Sequence, residues 1–520
     1  MYQRNAVVLP AAKLIEKAGW AHTYQFRCLI LFAFQWLVAA IIFNGYKYFF
    51  LIPKLKCFNP STPPFTCTVA EACSQEYTYE YDPDSTQSLV VEFNLLCQAD
   101  YLVELTQTMV FLGAFVGSYY YTEIQHRKGR LFTLNQATSL IGISLIASVL
   151  SFWIYINIAA IFLANFALFA LMNTTIIYFS EVASDNLRIA GPNIFLIGWA
   201  LGSVVLSIFM KFFDGWRQLT LFAMGIPMFI SAFYYRFIKD SPRYLVGQER
   251  YEEARVAVKN IAKINGRPLP EFVFESEIKT TFFGDTYGVM FRNDSKEEPL
   301  VKDKNVKTFL TLFQYKSIRK TSLILLSLRV FLTIANHGNV LSLNTFHTEA
   351  SQSLLTDGVI ELFGYVFASY CSLRVKRRAL FRTMFFAIGF IYIAFCAIGV
   401  RPSEIEIEKA KGFVILLLVV GRWAICIASG VLFVYNCEAI PTNVRHFSFG
   451  LNVSVAYLVI LVLDGLDGLF RDTHLIFQFL FGLVFFAHIK LTEEMPETYG
   501  KPLPDVIREE DDLLVNIEMY

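Results

Sequence analysis

Charge is scarce in this sequence. Lys, Arg, Asp and Glu together supply 17% of 520 residues, against 55% hydrophobic and 16% aromatic. A soluble chain of this size has too much surface to cover with so few charges, which excludes an ordinary water-soluble domain. The net charge is only +1, so the basic excess that binds a nucleic-acid backbone is also missing. The seven histidines are scattered. There is no G-x-x-x-x-G-K-[ST] phosphate loop, no H-E-x-x-H zinc site and no G-x-S-x-G nucleophile elbow, so the sequence offers no enzyme chemistry. Cysteine and histidine never fall at metal-ligand spacing, and no metal or other cofactor is expected.

What is abundant is long apolar runs. Segments of about 20 residues, enough to cross a bilayer core, recur along almost the whole chain. Twelve spans are expected, centred near Phe34, Leu112, Ile143, Leu168, Ala200, Phe229, Phe331, Val366, Ile388, Val419, Val455 and Leu483. The first follows a polar, basic stretch and is too long for a signal-peptide core, so it is expected to be retained. Lys and Arg gather in alternate loops: RKGR at 127–130, the segment 239–320 and RVKRR at 374–378. By the positive-inside rule these loops and both termini face the cytoplasm or its topological equivalent.

The one long loop on the opposite side, residues 53–100, holds Cys57, Cys67, Cys73 and Cys97. Four cysteines there favour two disulfides, with three pairings open. The loop also carries Glu71, Glu76, Glu80, Asp82 and Asp84, read as a solvated acidic face.

The sequence repeats itself. YFSEVASDNLR at 178–188 places Tyr178, Glu181 and Arg188 at the spacing of Tyr435, Glu438 and Arg445 in YNCEAIPTNVR at 435–445, and RKGR at 127–130 has a counterpart in RVKR at 374–377. Topology alone explains the arginines, but not a matched glutamate seven residues earlier in both halves. Glutamate and arginine at cytoplasmic helix ends are therefore expected to form a latch of ion pairs. Two similar halves also place a substrate site at mid-membrane where they meet.

These motifs, with SLVVEFNLLC at 88–97, DSPRYL at 240–245 and MPETYGKPLPD at 495–505, resemble in order those of the organic ion transporter branch of the major facilitator superfamily, which carries organic cations, organic anions and carnitine. The resemblance implies an all-α membrane protein of twelve transmembrane helices in two pseudo-symmetric six-helix bundles. It divides the chain into a cytoplasmic segment 1–25, a bundle 26–238 that includes the loop 53–100, a cytoplasmic linker domain 239–320, a bundle 321–492 and an acidic cytoplasmic tail 493–520. YEEARVAVKNIAKINGR at 251–267 has helical apolar spacing and suits the linker domain. The family's loop glycosylation is void here, because Asn59 is followed by proline. Arg243 and Glu497, from the last two motifs, complete the expected gate with Arg127, Arg130, Glu181, Arg188, Glu438 and Arg445.

Polar groups inside spans are costly unless paired or wet, so they are candidates for function. The cleft candidates are Gln107, Trp199, Arg329, His337, Glu361, Tyr365, Trp423 and Tyr457. Arg329 and Glu361 are expected to meet across neighbouring helices of the second half. Tyr457 resembles the position of an acid in organic cation carriers and of an arginine in organic anion carriers, and its neutrality leaves the sign of the substrate charge open.

The function expected is ATP-independent transport of a small organic ion or zwitterion by alternating access. The alternative is a carrier fold that has lost transport and serves as a subunit of a larger membrane complex, with the plasma membrane or the mitochondrial inner membrane as its place. That alternative rests on the damaged loop motif G-x-x-x-D-R-x-G-R: His126 and Leu373 stand at the acid position, and Lys376 replaces a glycine in the second copy. An acid there would face a helix N-terminus.

Overall fold

The computed structural model describes residues 22–501, apart from 53, 60, 61, 75–77, 83–86, 100, 184, 249, 268–308, 345–349, 399–407 and 466–473. Segment 1–21, the middle of the linker domain and the tail beyond 501 lie outside the described residues.

Twelve long helices run through the described residues. In the first half they are α1 (Thr23–Phe49), α2 (Tyr101–Lys128), α3 (Arg130–Leu150), α4 (Ile154–Val182), α5 (Asp185–Phe212) and α6 (Trp216–Phe237). In the second they are α7 (Lys316–Asn344), α8 (Ala350–Arg374), α9 (Arg377–Ile398), α10 (Glu408–Ala439), α11 (Arg445–Gly465) and α12 (His474–Glu493). Ten of these, all but α7 and α12, are long and apolar enough to cross a membrane. Each of the twelve centres read from the sequence falls inside one helix. Lipid supplies no hydrophobic drive between helices, so close packing needs small residues. At Gly117 of α2 a Cβ would collide with the backbone of Phe166 on α4. One core fills the first half and reaches into the second, another lies within the second half, and the halves meet along α5 with α8 and α2 with α11.

The loop after α1 folds as a small antiparallel sheet of order β2-β1-β3, from β1 (Leu55–Asn59), β2 (Thr62–Cys67) and β3 (Thr78–Tyr81). Leu55 stands opposite Cys67 on one side and Tyr81 on the other. Disulfides join Cys57 to Cys67 and Cys73 to Cys97, which selects one of the three pairings. Acids of the loop have structural roles: Glu71 accepts from Thr68 in a capping box, and Asp82 pairs with Lys56 at 3.1 Å. Glu92 clasps the loop to α6, accepting from the Trp216 indole at 2.7 Å and from Arg217.

After α6 come a short helix (Pro242–Gly247) and an amphipathic one (Tyr251–Ile264). The second buries Ala254, Ala257, Val258, Ile261 and Ala262. Asn265, just past its end, accepts from the Tyr24 backbone N–H at 2.9 Å, docking it on the start of α1.

Candidate functional site

Two sites follow from the repeat. The first is a cavity of about 100 Å³ between the halves, walled by α1, α2 and α5 on one side and α7, α8, α10 and α11 on the other. Its charged floor is an ion pair: Glu361 of α8 accepts from Arg422 of α10, and both side chains are buried. Arg422 also donates to the Asn336 side-chain oxygen at 2.6 Å and to its carbonyl at 3.1 Å, tying α10 to α7. Asp357, one helical turn before Glu361, lines the same wall. Aromatic rings close the opposite side. Tyr457 packs on Phe169 at 4.4 Å and lies nearly parallel to Phe111 at 6.2 Å, while Trp199 meets Phe43 at 5.6 Å. At the cavity edge His337 contacts Asp464 at 3.1 Å.

Of the cleft candidates, Trp199, His337, Glu361 and Tyr457 line this cavity. Gln107 is half-buried on α2, and Tyr365 is buried beside Cys426. Trp423 is exposed, donating its indole N–H to the Ile360 carbonyl at 3.1 Å. The expected Arg329–Glu361 pairing is corrected: Arg422 takes Glu361, and Arg329 sits over the Phe433 ring at 4.6 Å. The reason is helix order, since α8 packs against α10 much more extensively than against α7. Sequence reading missed Arg422 and Asp357. The signal was present for both, as an arginine inside the apolar run VVGRWAICI and as an acid four residues before Glu361 on a helix.

The second site is a latch, built once in each half. Arg130, at the start of α3, donates through Nε and Nη2 to Glu181 of α4 at 3.3 and 3.1 Å, and through Nη1 to the Gln125 carbonyl. Its backbone N–H, with that of Leu131, reaches Asp240 at 3.2 and 3.4 Å. In the second half Arg377, at the start of α9, donates through Nε and Nη2 to Glu438 of α10 at 3.1 and 2.9 Å, and to the Ser372 carbonyl. The backbone N–H groups of Arg377 and Arg378 reach Glu497 at 3.0 and 3.3 Å. Tyr178 donates to the Lys239 carbonyl at 2.7 Å and Tyr435 to the Pro496 carbonyl at 2.9 Å, so the whole constellation repeats. Burial pushes the Asp240 carboxyl above the ordinary carboxylate range, and the Arg130 guanidinium opposes that shift.

Each latch joins helices of its own half. Arg130, Glu181, Glu438 and Glu497 belong to it, and so does Arg377, whose signal was its place as fourth residue of the RVKR copy. Arg188 and Arg445 are buried nearby, and Arg445 donates to the Ile440 carbonyl at 3.3 Å. Arg243 is half-buried in the short helix. Arg127 pairs with Glu123 on its own helix, outside the latch.

The altered loop residues have structural answers. Gly129 has φ +99°, and a Cβ there would also strike Asp240. Lys376, its counterpart, is not among the positive-φ residues, so the second turn is made without a glycine conformation and its latch still closes. His126 stacks on His446 of α11 at 5.1 Å, across the junction of the two halves.

Two six-helix halves around a central polar cavity, with a matching ion-pair latch at one end of each, define a multi-pass secondary transporter of the major facilitator class. The family model described as "Sugar (and other) transporter" matches residues 65–508, and the chain belongs to that family. It is 24% identical over 445 residues to organic cation/carnitine transporter 2 of Homo sapiens, covering 84% of this chain and 74% of that protein. It is 25% identical over 434 residues to organic cation transporter 1 of Caenorhabditis elegans, covering 83% and 70%. Among solved structures, the proton:xylose symporter XylE bound to 6-bromo-6-deoxy-D-glucose superposes with a TM-score of 0.65 at 16% identity, covering 94% of this chain and 99% of that one. The inward-open xylose transporter from E. coli gives 0.57 at 15% identity, covering 94% and 100%.

Proposed function

We propose that the chain is an ATP-independent carrier of small organic ions with a cationic head, either simple organic cations or zwitterions, working by alternating access at the plasma membrane. The observation that carries this reading is the composition of the cavity wall. Asp357, Glu361 and Arg422 make one side of the cavity polar, and aromatic faces line the other side. Those ring faces attract a cationic head. Glu361 and Arg422 hold the polar floor, Trp199 and Tyr457 present ring faces, and the two latches hold the cytoplasmic helix ends in one of the exchanging states. The organic cation carriers among the relatives agree with this assignment. A transport-inactive subunit is disfavoured because both latches are complete despite the altered loop residues.

The test is uptake by proteoliposomes of tetraethylammonium, a betaine-type zwitterion and a dicarboxylate. Saturable uptake of the first two, reduced in Glu361→Gln, is expected. Saturable uptake of the dicarboxylate alone would reverse the charge assignment, and no uptake of any probe would remove the carrier reading.

A further inference from the structure

A large groove lies away from the central cavity. It is a groove of about 1280 Å³ between α3, α6 and the Tyr251–Ile264 helix, at the cytoplasmic end of the first half. Its membrane wall is apolar: Phe132 of α3 and Phe229, Phe233 and Phe237 of α6 all line it and are all exposed. Its rim is charged. The carboxylates there are already engaged, Asp240 by backbone N–H groups, Glu253 by Arg250 at 2.6 Å and Glu252 by Arg255 at 3.9 Å. The cations Lys128, Arg236 and Lys239 are exposed, and none has a carboxylate in ion-pair distance among the described residues. Lys128 lies over Phe132 at 4.6 Å and Arg236 over Phe233 at 4.7 Å, so both charges sit at the upper edge of the aromatic wall.

An apolar slot capped by three uncompensated cations, at the depth where cytoplasmic-leaflet headgroups lie, has the polarity of an anionic phospholipid. We propose that this groove binds an anionic phospholipid, its phosphate held by Lys128, Arg236 and Lys239 and its acyl chains lying along Phe132, Phe229 and Phe233. The site has a consequence for transport. Lys128 and Leu131 flank the Arg130 latch, and Asp240, which takes the Arg130 and Leu131 backbone N–H groups, lines the groove. A headgroup seated on Lys128 and Lys239 therefore braces the two turns that hold the first latch closed. Cytoplasmic-leaflet composition thus sets the latch equilibrium.

The experiment uses the purified full chain in mild detergent, with phosphatidylglycerol, phosphatidylcholine and inorganic phosphate as probes, read by native mass spectrometry and by thermal unfolding. Phosphatidylglycerol is expected to be retained and to raise the melting temperature, while phosphatidylcholine and phosphate do neither. Arg236→Ala and Lys128→Ala are exposed-site changes that leave folding intact, and each is expected to lower the phosphatidylglycerol preference roughly fivefold, the scale of one cation at an anionic surface. Val256→Trp, which fills the groove from the cytoplasmic helix, is expected to abolish retention with both cations in place. Equal retention of the two lipids, a preference that all three variants preserve, or stabilisation by inorganic phosphate alone would each overturn the proposal. None of these readouts depends on transport.

Discussion

Arg377 and Arg127 are both arginines at helix ends beside the latches, yet their surroundings give them opposite weight. Arg377 is fully buried with Glu438 and has hydrogen-bond partners on both sides of the guanidinium. Removing it leaves Glu438 charged and without its cation inside the bundle. Arg377→Ala is expected to cost about 3–5 kcal/mol of stability, measured by unfolding of the purified protein. Arg127 is exposed and meets Glu123 one turn away on its own helix, a pair worth about 0.3–0.5 kcal/mol, so Arg127→Ala should leave unfolding almost unchanged. Asp240 adds a pH dependence. Its folded pKa is raised by burial, so its contribution to stability is complete below the ordinary carboxylate range and is lost as pH rises through the folded value. The melting temperature of the wild type should fall across that window. Asp240→Asn keeps an acceptor for the two N–H groups but cannot titrate, and the same fall should be absent from its profile.

At the scale of helices, the two junctions between halves are set by glycines at opposite ends. At the latch end Gly450 of α11 lies against Thr122 and the Ser118 carbonyl of α2. Toward the other side Gly358 of α8 lies against Val204 and Ala200 of α5, where Ser207 also donates to the Ser351 carbonyl at 2.7 Å. A large side chain at either point wedges its own end apart. Gly450→Trp is expected to raise the reactivity of cysteines placed at the latch-end junction and lower it at the opposite one, and Gly358→Trp to do the reverse. Labelling from each side of sealed vesicles reads the outcome, and identical patterns in the two variants would show that these contacts do not set the state. The helices were legible in the sequence because each is a long apolar run bounded by charge. Their neighbours were not. Arg329 and Arg422 are equally buried-looking arginines in a one-dimensional reading, and only the packing of α8 on α10 decides which reaches Glu361.

Across the whole molecule, the cysteine loop is closed on itself by disulfides and tied to the first half by polar contacts. Cys73 and Cys97 close a separation of 24 residues, and Glu92, inside that closed segment, fastens it to Trp216 and Arg217. Replacing both cysteines by serine is expected to lower stability by about 3 kcal/mol through the gain in unfolded-state freedom. Circular dichroism should show the helical content retained, since the spans satisfy their backbone hydrogen bonds internally. The sequence by itself determined the solvent, the number of spans and the duplication, because each depends on local composition or on repeated spacing along the chain. It also marked Arg130, Glu181 and Glu438 as latch residues through that repetition. The tertiary structure decided the disulfide pairing, the Glu361–Arg422 floor, the closing of each latch within its own half and the groove beside the first latch. Each of these joins residues far apart in the chain, and the partner of a buried charge is chosen by which helix lies next to it, a property that no stretch of sequence contains.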